Sequence, residues 1–315
     1  MRDRLKTLAL ILCMAALAGG QQSPPPPLRI AGNMTTIELA PVLVAADGLY
    51  RGPITVTNGG IPNLVRGEVD AATNAETQAL RASVDDPSIR IVFTVAENFY
   101  RLVARRSAGI RQVADLRGKK ITTSRNTSAH YYLVKMLGTA KLTEEDVTVA
   151  PVTPLTRMSA ALKSGEVDVV SIWDPEAENS AAAVGDDAVV LQDRSVYREL
   201  FNLQTSTKVL ADPAKRRALV EFLRSLIAAS ERIRDRPQEV WPLISSKIGA
   251  SVPVISKSWP QLRYAGSLVP DLLDVMEEEE RWVAKERNRT PRTRAQLSAL
   301  IDDSLLREAV GTPRR

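Results

Sequence analysis

Twice along the chain a helix-like stretch ends in a glycine, turns through Glu-Val-Asp and enters a short apolar run: LVRGEVDAA at residues 64–72 and LKSGEVDVV at 162–170. Glycine takes the left-handed conformation that closes a helix, and the apolar run after it has the pattern of a buried strand. Around each junction, strand-like and helix-like runs alternate. The first series holds LRIAG, IELAPVLVAADGLY, ITVTN, the stretch to Arg66, VDAAT and IRIVFTV; the second holds KKITTS, the stretch after Thr127, VTVAPV, the stretch to Leu162, VDVVSIW and VVLQD. Such alternation predicts α/β units with largely parallel sheets. The same junction at the same point of both series predicts two similar lobes. Beyond Asp212 the pattern is helical: Pro213 to Arg234, PQEVWPLISSKIG, SWPQLRYAGSL, Leu272 to about Arg289, and an amphipathic segment from Thr293 to Val310.

The chain opens with MRDRLKTLALILCMAALAGGQQ, a basic start, an apolar run from Leu8 to Leu17 and a small-residue ending. That order predicts a secretory signal peptide at residues 1–18, cut after Ala18, because about ten apolar residues are too few for a membrane span. Residues 19–27, rich in Gln, Ser and Pro, then form an extended tether. Export places the protein in the periplasm. The sole cysteine, Cys13, leaves with the leader, so the mature chain has neither disulfide nor thiolate chemistry. With 44% hydrophobic and 25% charged residues the remainder has the composition of a soluble globule. The formal charge of +5 includes +2 from Arg2, Asp3, Arg4 and Lys6, which leaves a weak and scattered surplus on the mature protein.

LRIAG, a helix ending VAADGLY, Gly59-Gly60 before a helix, GEVDAA, YRLVARR, DLRGKKI, the SAH helix start, GEVDVVSIWDP and FNLQTSTKVLADP follow one another in a fixed order. The set resembles, over residues 28–290, the soluble substrate-binding proteins of ABC importers of the nitrate, sulfonate, taurine and thiamine-pyrimidine-precursor type. Between Tyr50 and Gly60 the chain has only RGPITVTNG, shorter than the stretch found in that group. The resemblance implies an α/β, two-lobed periplasmic binding protein of type II, with two crossing strands and a ligand cleft between the lobes. Lobe 1 would comprise residues 28–105, lobe 2 residues 106–202, and residues 203–315 would return to lobe 1 and supply C-terminal helices, with crossings near Arg105 and Asn202. It further implies a monomeric non-enzyme without cofactor or metal, a small anionic or zwitterionic ligand, and an ABC permease of the inner membrane as partner. Two rivals share the fold: an enzyme related to thiamine pyrimidine synthesis, and a periplasmic sensor.

Ligands of open α/β sheets lie beyond the carboxyl ends of strands, where helix N-termini point N–H groups outward. Four stretches meet that description. Asn33, Thr35 and Thr36 follow the first strand, with a plain capping turn as the alternative reading. Asn74 follows VDAA. Ser124, Thr127, Ser128 and His130 follow KKITT, where the hydroxyls and first-turn N–H groups offer an anion seat, with Arg125 on the loop either a countercharge to it or solvated. Trp173 and Asp174 follow VDVVSI, with Glu178 one turn on; Trp173 either walls the pocket or belongs to the core. His130 is the only histidine, third in a helix capped by Thr127, in line with Leu133, Val134 and Leu137. It is a packed group beside the cleft, a ligand contact or a catalytic group. Without a second histidine or a folded cysteine a soft-metal site is not expected, and no Gly-x-Ser-x-Gly elbow or Gly-rich phosphate loop occurs. Scattered basic residues and only 4% aromatics exclude a nucleic-acid platform. The acidic run Glu277 to Glu280 reads as a solvated helix face.

Overall fold

The structure, a computed structural model, describes residues 25–311; the expected leader and most of the tether lie outside the described residues. In the first of two sheets β1 (Leu28–Gly32) runs between β2 (Ile54–Asn58) and β3 (Ala71–Ala75), parallel to both. Beside β3 lie β10 (Glu199–Ser206), β4 (Ile89–Asn98) and the edge strand β11 (Leu262–Arg263), each pair antiparallel. In the second sheet β6 (Lys120–Thr123) runs parallel between β7 (Thr148–Val149) and β8 (Val169–Ile172), and β5 (Arg101–Arg105) lies antiparallel between β8 and β9 (Ala188–Leu191). Both sheets are therefore mixed rather than largely parallel. Parallel pairs come from helical crossovers within a lobe, whereas β5 and β10 arrive from the other lobe and enter their new sheets reversed.

Those arrivals are the two crossings. The chain leaves the first sheet after Asn98 and joins the second at Arg101, then leaves β9 at Leu191 and rejoins the first sheet at Glu199. Both passages fall a few residues ahead of the expected Arg105 and Asn202, which lie inside strands β5 and β10.

The repeated junction does the same job twice. Gly67 and Gly165 have φ of 72° and 81°, the left-handed turn that a side chain would strain. Asp70 Oδ2 accepts a hydrogen bond from the backbone N of Arg29 at 2.9 Å, and Asp168 Oδ2 accepts one from the backbone N of Lys120 at 3.0 Å. Each aspartate thus ties the start of the neighbouring parallel strand to its own, and each also holds an arginine, Arg29 at 3.0 Å and Arg105 at 2.9 Å.

Beyond β10 the helix Pro213–Asp235 covers the first sheet, its N-terminus capped by the Asp212 carboxylate. Its buried stripe, including Phe222, Leu223 and Leu226, joins Phe93 and Leu203 in the core of the first lobe. SWPQLRYAGSL is not a helix: Trp259–Gln261 makes one tight turn and β11 follows, pairing Leu262 and Arg263 with Asn98 and Glu97. The helix Leu272–Glu286 spans both lobes. Its Met276, Trp282 and Val283 share one apolar cluster with Tyr131, Leu133 and Met136 of the second lobe, while Glu279 accepts a bond from Thr77 of the first. The acidic run on this helix is only partly solvated, since Glu279 and Glu280 are fully buried.

Candidate functional site

At the boundary between the lobes, side chains from six strand ends meet. Thr36, in the turn after β1, is buried, and its hydroxyl reaches both Glu38 Oε2 and, across the boundary, the backbone O of Asp174 at 3.2 Å. The Asp174 carboxylate accepts from Arg101 Nη2 at 2.8 Å, from Ser258 Oγ of the first lobe at 3.0 Å and from the backbone N of Glu178 at 3.1 Å. Arg101 Nη2 also holds Glu178 at 3.1 Å. From the second lobe, Ser128 Oγ lies 2.9 Å from Tyr100 Oη and 3.4 Å from Glu199 Oε1. Asn98, the last residue of β4, donates to Glu38 Oε1.

Of the expected site residues, Thr36, Ser128 and Asp174 are brought together here. Asn33 and Thr35 close a local turn, with Asn33 Oδ1 accepting from the N and Oγ1 of Thr35 at 3.0 and 2.7 Å. Thr127 Oγ1 donates to the backbone O of Ser124 at 2.6 Å, which shapes the loop before the helix Ser128–Thr139. His130 is buried, and both ring nitrogens are engaged: Nδ1 accepts from the backbone N of Asn126 at 3.2 Å, so Nε2 carries a proton and donates to Glu144 Oε1 at 2.7 Å. Its ring meets Trp282 edge-on at 5.3 Å. The bond from His130, with a smaller opposing effect of burial, holds the Glu144 carboxyl below its ordinary value. Trp173 is half-buried and packs on the apolar core of the second lobe.

The residues that sequence reasoning missed are mostly carboxylic acids. Glu38 reads locally as a first-turn acid and Glu199 as the polar start of a strand. The available signal was a lone acid inside an apolar run, in TTIELAPV and YRELFNLQ. Both are buried, 3% and 2% exposed, and their carboxyls lie against each other. Burial pushes both up, and the nearness of Glu38 raises Glu199 further. Glu76, first residue of the helix Glu76–Ala82, is pushed up to about 7 by burial, against hydrogen bonds from Tyr197 Oη at 2.6 Å and the backbone N of Leu200 at 2.9 Å. Glu279 is raised well above its ordinary value by burial and by Glu76.

A pocket of about 480 Å³ opens on the first lobe at the start of the helix Ile61–Val65, lined by Gly60, Asn74, Gln78, Arg81, Asp85 and Arg287 among others. Asn74 Oδ1 accepts from the backbone N of Ile61 at 2.8 Å, and a Cβ on Gly60 would lie 2.3 Å from that oxygen, which is why glycine stands there. Gln78 donates across the lobe boundary to the backbone O of Asn126 at 3.2 Å. Arg287 is held by Asp85 at 3.0 Å and by the backbone O of Arg81 at 2.9 Å. Arg81 Nη1 is buried without a hydrogen-bond partner, and burial together with Arg287 lowers the basicity of its guanidinium.

Comparison with known proteins agrees with this architecture. A putative aliphatic sulfonates-binding protein of Escherichia coli is 28% identical over 156 residues, 49% of this chain and 47% of the relative, so the chain spans about half the length of the curated relative it matches. Three solved structures share the fold. The alkanesulfonate-binding protein of Xanthomonas axonopodis pv. citri, bound to MOPS, superposes with a TM-score of 0.69 at 18% identity, covering 89% of this chain and 99% of that one. The periplasmic nitrate-binding protein of Synechocystis PCC 6803 gives 0.74 at 13% identity, covering 90% and 88%. A desulfurization enzyme gives 0.66 at 16% identity, covering 91% and 99%. The NMT1/THI5-like family profile matches residues 55–240, which run from β2 through both crossings into the helices beyond, and the chain belongs to that family.

Proposed function

We propose that this member of the family is an exported, non-enzymatic solute-binding protein that captures a small anionic or zwitterionic molecule between its lobes and hands it to an ABC permease. The observation that carries the reading is the pocket beside the lobe boundary, in which Arg81 presents a buried, unpartnered N–H. A partly buried guanidinium with an Nη1 lacking an acceptor gains from an incoming carboxylate, sulfonate or nitrate oxygen. Bonds across the boundary, from Thr36 and Ser258 to Asp174 and from Gln78 to Asn126, give the closed arrangement its own contacts. A solute touching both lobes adds to them and shifts the population toward closure. The names of the sulfonate- and nitrate-binding relatives support the transport role. The fold alone is shared with an enzyme, so turnover has to be assayed.

Isothermal titration with short alkanesulfonates and nitrate is expected to show binding, and Arg81→Gln is expected to weaken it by about 1.5–3 kcal/mol, the usual worth of a charged hydrogen bond. Equal affinity of the variant, or chemical conversion of the bound solute, would sink the reading. Export has its own test. Material recovered from the periplasm of an expressing host should have an intact mass beginning after Ala18, within residues 19–21, and retention of Met1 would contradict it.

A further inference from the structure

We propose that the Glu38–Glu199 pair is the seat of a protonated amine, so that the solute is a zwitterion whose ammonium group is bound at the lobe boundary; this rests on the solute-binding reading. Glu38 belongs to the turn after β1 and Glu199 opens β10, and the second lobe reaches the pair through Ser128. A group held there touches both lobes. Among the described residues neither carboxyl has a Lys or Arg within ion-pair distance, because the neighbouring Arg101 is committed to Asp174 and Glu178. Two carboxyls buried together with no cation retain one negative charge when they share a single proton, and burial makes that charge costly.

The hydrogen-bond inventory is lopsided in the same direction. Glu199 Oε2 and Asn98 Oδ1 are buried without a donor. Asn98 is an amide, 1% exposed, and aimed at the pair by its bond to Glu38. An acceptor-rich site built on two carboxyls without a cationic partner is matched by a group with several N–H donors and a positive charge, and a primary ammonium has three donors. Among the described residues no group of three or more His, Cys, Asp and Glu is arranged to hold a metal ion. Thr36 and Tyr100, bonded to Glu38 and Ser128, wall the pair off and favour a small headgroup over a bulky quaternary one.

The test is isothermal titration of the full mature protein at pH 7 with taurine against ethanesulfonate, 3-aminopropanesulfonate against propanesulfonate, and n-propylamine alone. Wild type should bind each amine-bearing sulfonate about tenfold or more tighter than its partner without the amine, the range for a charged hydrogen bond. Glu38→Gln and Glu199→Gln should each abolish that preference, bringing the affinities for the amino compound and for its partner together. A partner without the amine bound as tightly as the amino compound by wild type, or no amine-bearing probe bound at millimolar concentration, would overturn the seat, and the wild-type comparison decides even where a variant fails to fold. n-Propylamine bound as well as 3-aminopropanesulfonate sinks the anionic half of the functional reading and keeps the amine seat. Propanesulfonate bound as well as its amino partner does the reverse.

Discussion

Glu280→Ala is expected to lower the unfolding free energy by about 3–5 kcal/mol, the cost of removing one partner from a buried ion network. Glu280 Oε1 accepts from Arg289 Nη1 and from the backbone N and Nε of Arg292 at 2.8 and 3.1 Å. Its Oε2 accepts from Arg289 Nη2 at 3.0 Å and Arg292 Nη2 at 2.9 Å. Arg292 goes on to Ser83 Oγ at 2.8 Å and the backbone O of Leu80 at 2.7 Å, so this acid pins the chain after the long helix onto the first lobe. Burial pushes the Glu280 carboxyl up, but the two guanidiniums outweigh it and hold it at about 2. A depressed folded value means that its contribution is complete above the unfolded value near 4.5 and disappears as the pH falls through about 2. Urea unfolding at pH 7 measures the effect, and a loss below about 1 kcal/mol, the range of an exposed pair, would show that the network is not acting as a buried one.

A second large effect runs in the opposite direction with pH. Glu76 has its folded value raised from 4.5 to about 7, so the folded state binds the proton more tightly than the unfolded chain does. The stability it confers is complete below 4.5 and is lost as the pH rises through about 7, a difference of about 3 kcal/mol. Glu38, Glu199 and Glu279, all raised by burial, extend the loss in the same direction. Glu76→Gln keeps an acceptor for the backbone N of Leu200, and its amide donates to the Tyr197 hydroxyl, so it mimics the protonated acid. Urea midpoints at pH 5, 6, 7 and 8 should therefore fall steeply for wild type and less for the variant, which becomes the more stable protein at pH 8. Parallel curves would mean that Glu76 is ionised in the folded state throughout. Groups facing Glu76 from the neighbouring elements are Tyr197, Arg198, Glu199 and Glu279; the Arg198 guanidinium is the positive charge among them and favours the ionised form, but burial outweighs it.

Much of the fold is local and was legible. The glycine after each helix, the Asp before each strand and the alternation of periods depend on neighbours a few residues apart, and in both halves they specify a helix end followed by a buried strand. Thr127 preceding the helix that starts at Ser128 is of the same kind. The failures share a cause. SWPQLRYAGSL has helical spacing, but β4 offers an open edge, and pairing with Asn98 and Glu97 turns part of it into a strand. The parallel expectation failed because β5 and β10 each cross from the other lobe, and no local pattern carries the direction of a strand.

The sequence by itself determined the alternation of elements, the paired junctions and the family, because propensity, caps and periodicity act over one or two turns of chain. It also placed Thr36, Ser128 and Asp174 at strand ends, which in an open α/β sheet is where ligands bind. Only the tertiary structure decided which charges are buried. Glu278 and Glu279 are adjacent on one helix, yet Glu278 is exposed and pairs with Lys135 while Glu279 is sealed against Thr77. Glu38 and Glu199 meet only because the second crossing returns β10 to the middle of the first sheet, beside the turn after β1. A carboxylate near water and one near another carboxylate are the same letter in the sequence. Their proton affinities part only when distant segments fold together and exclude the solvent between them.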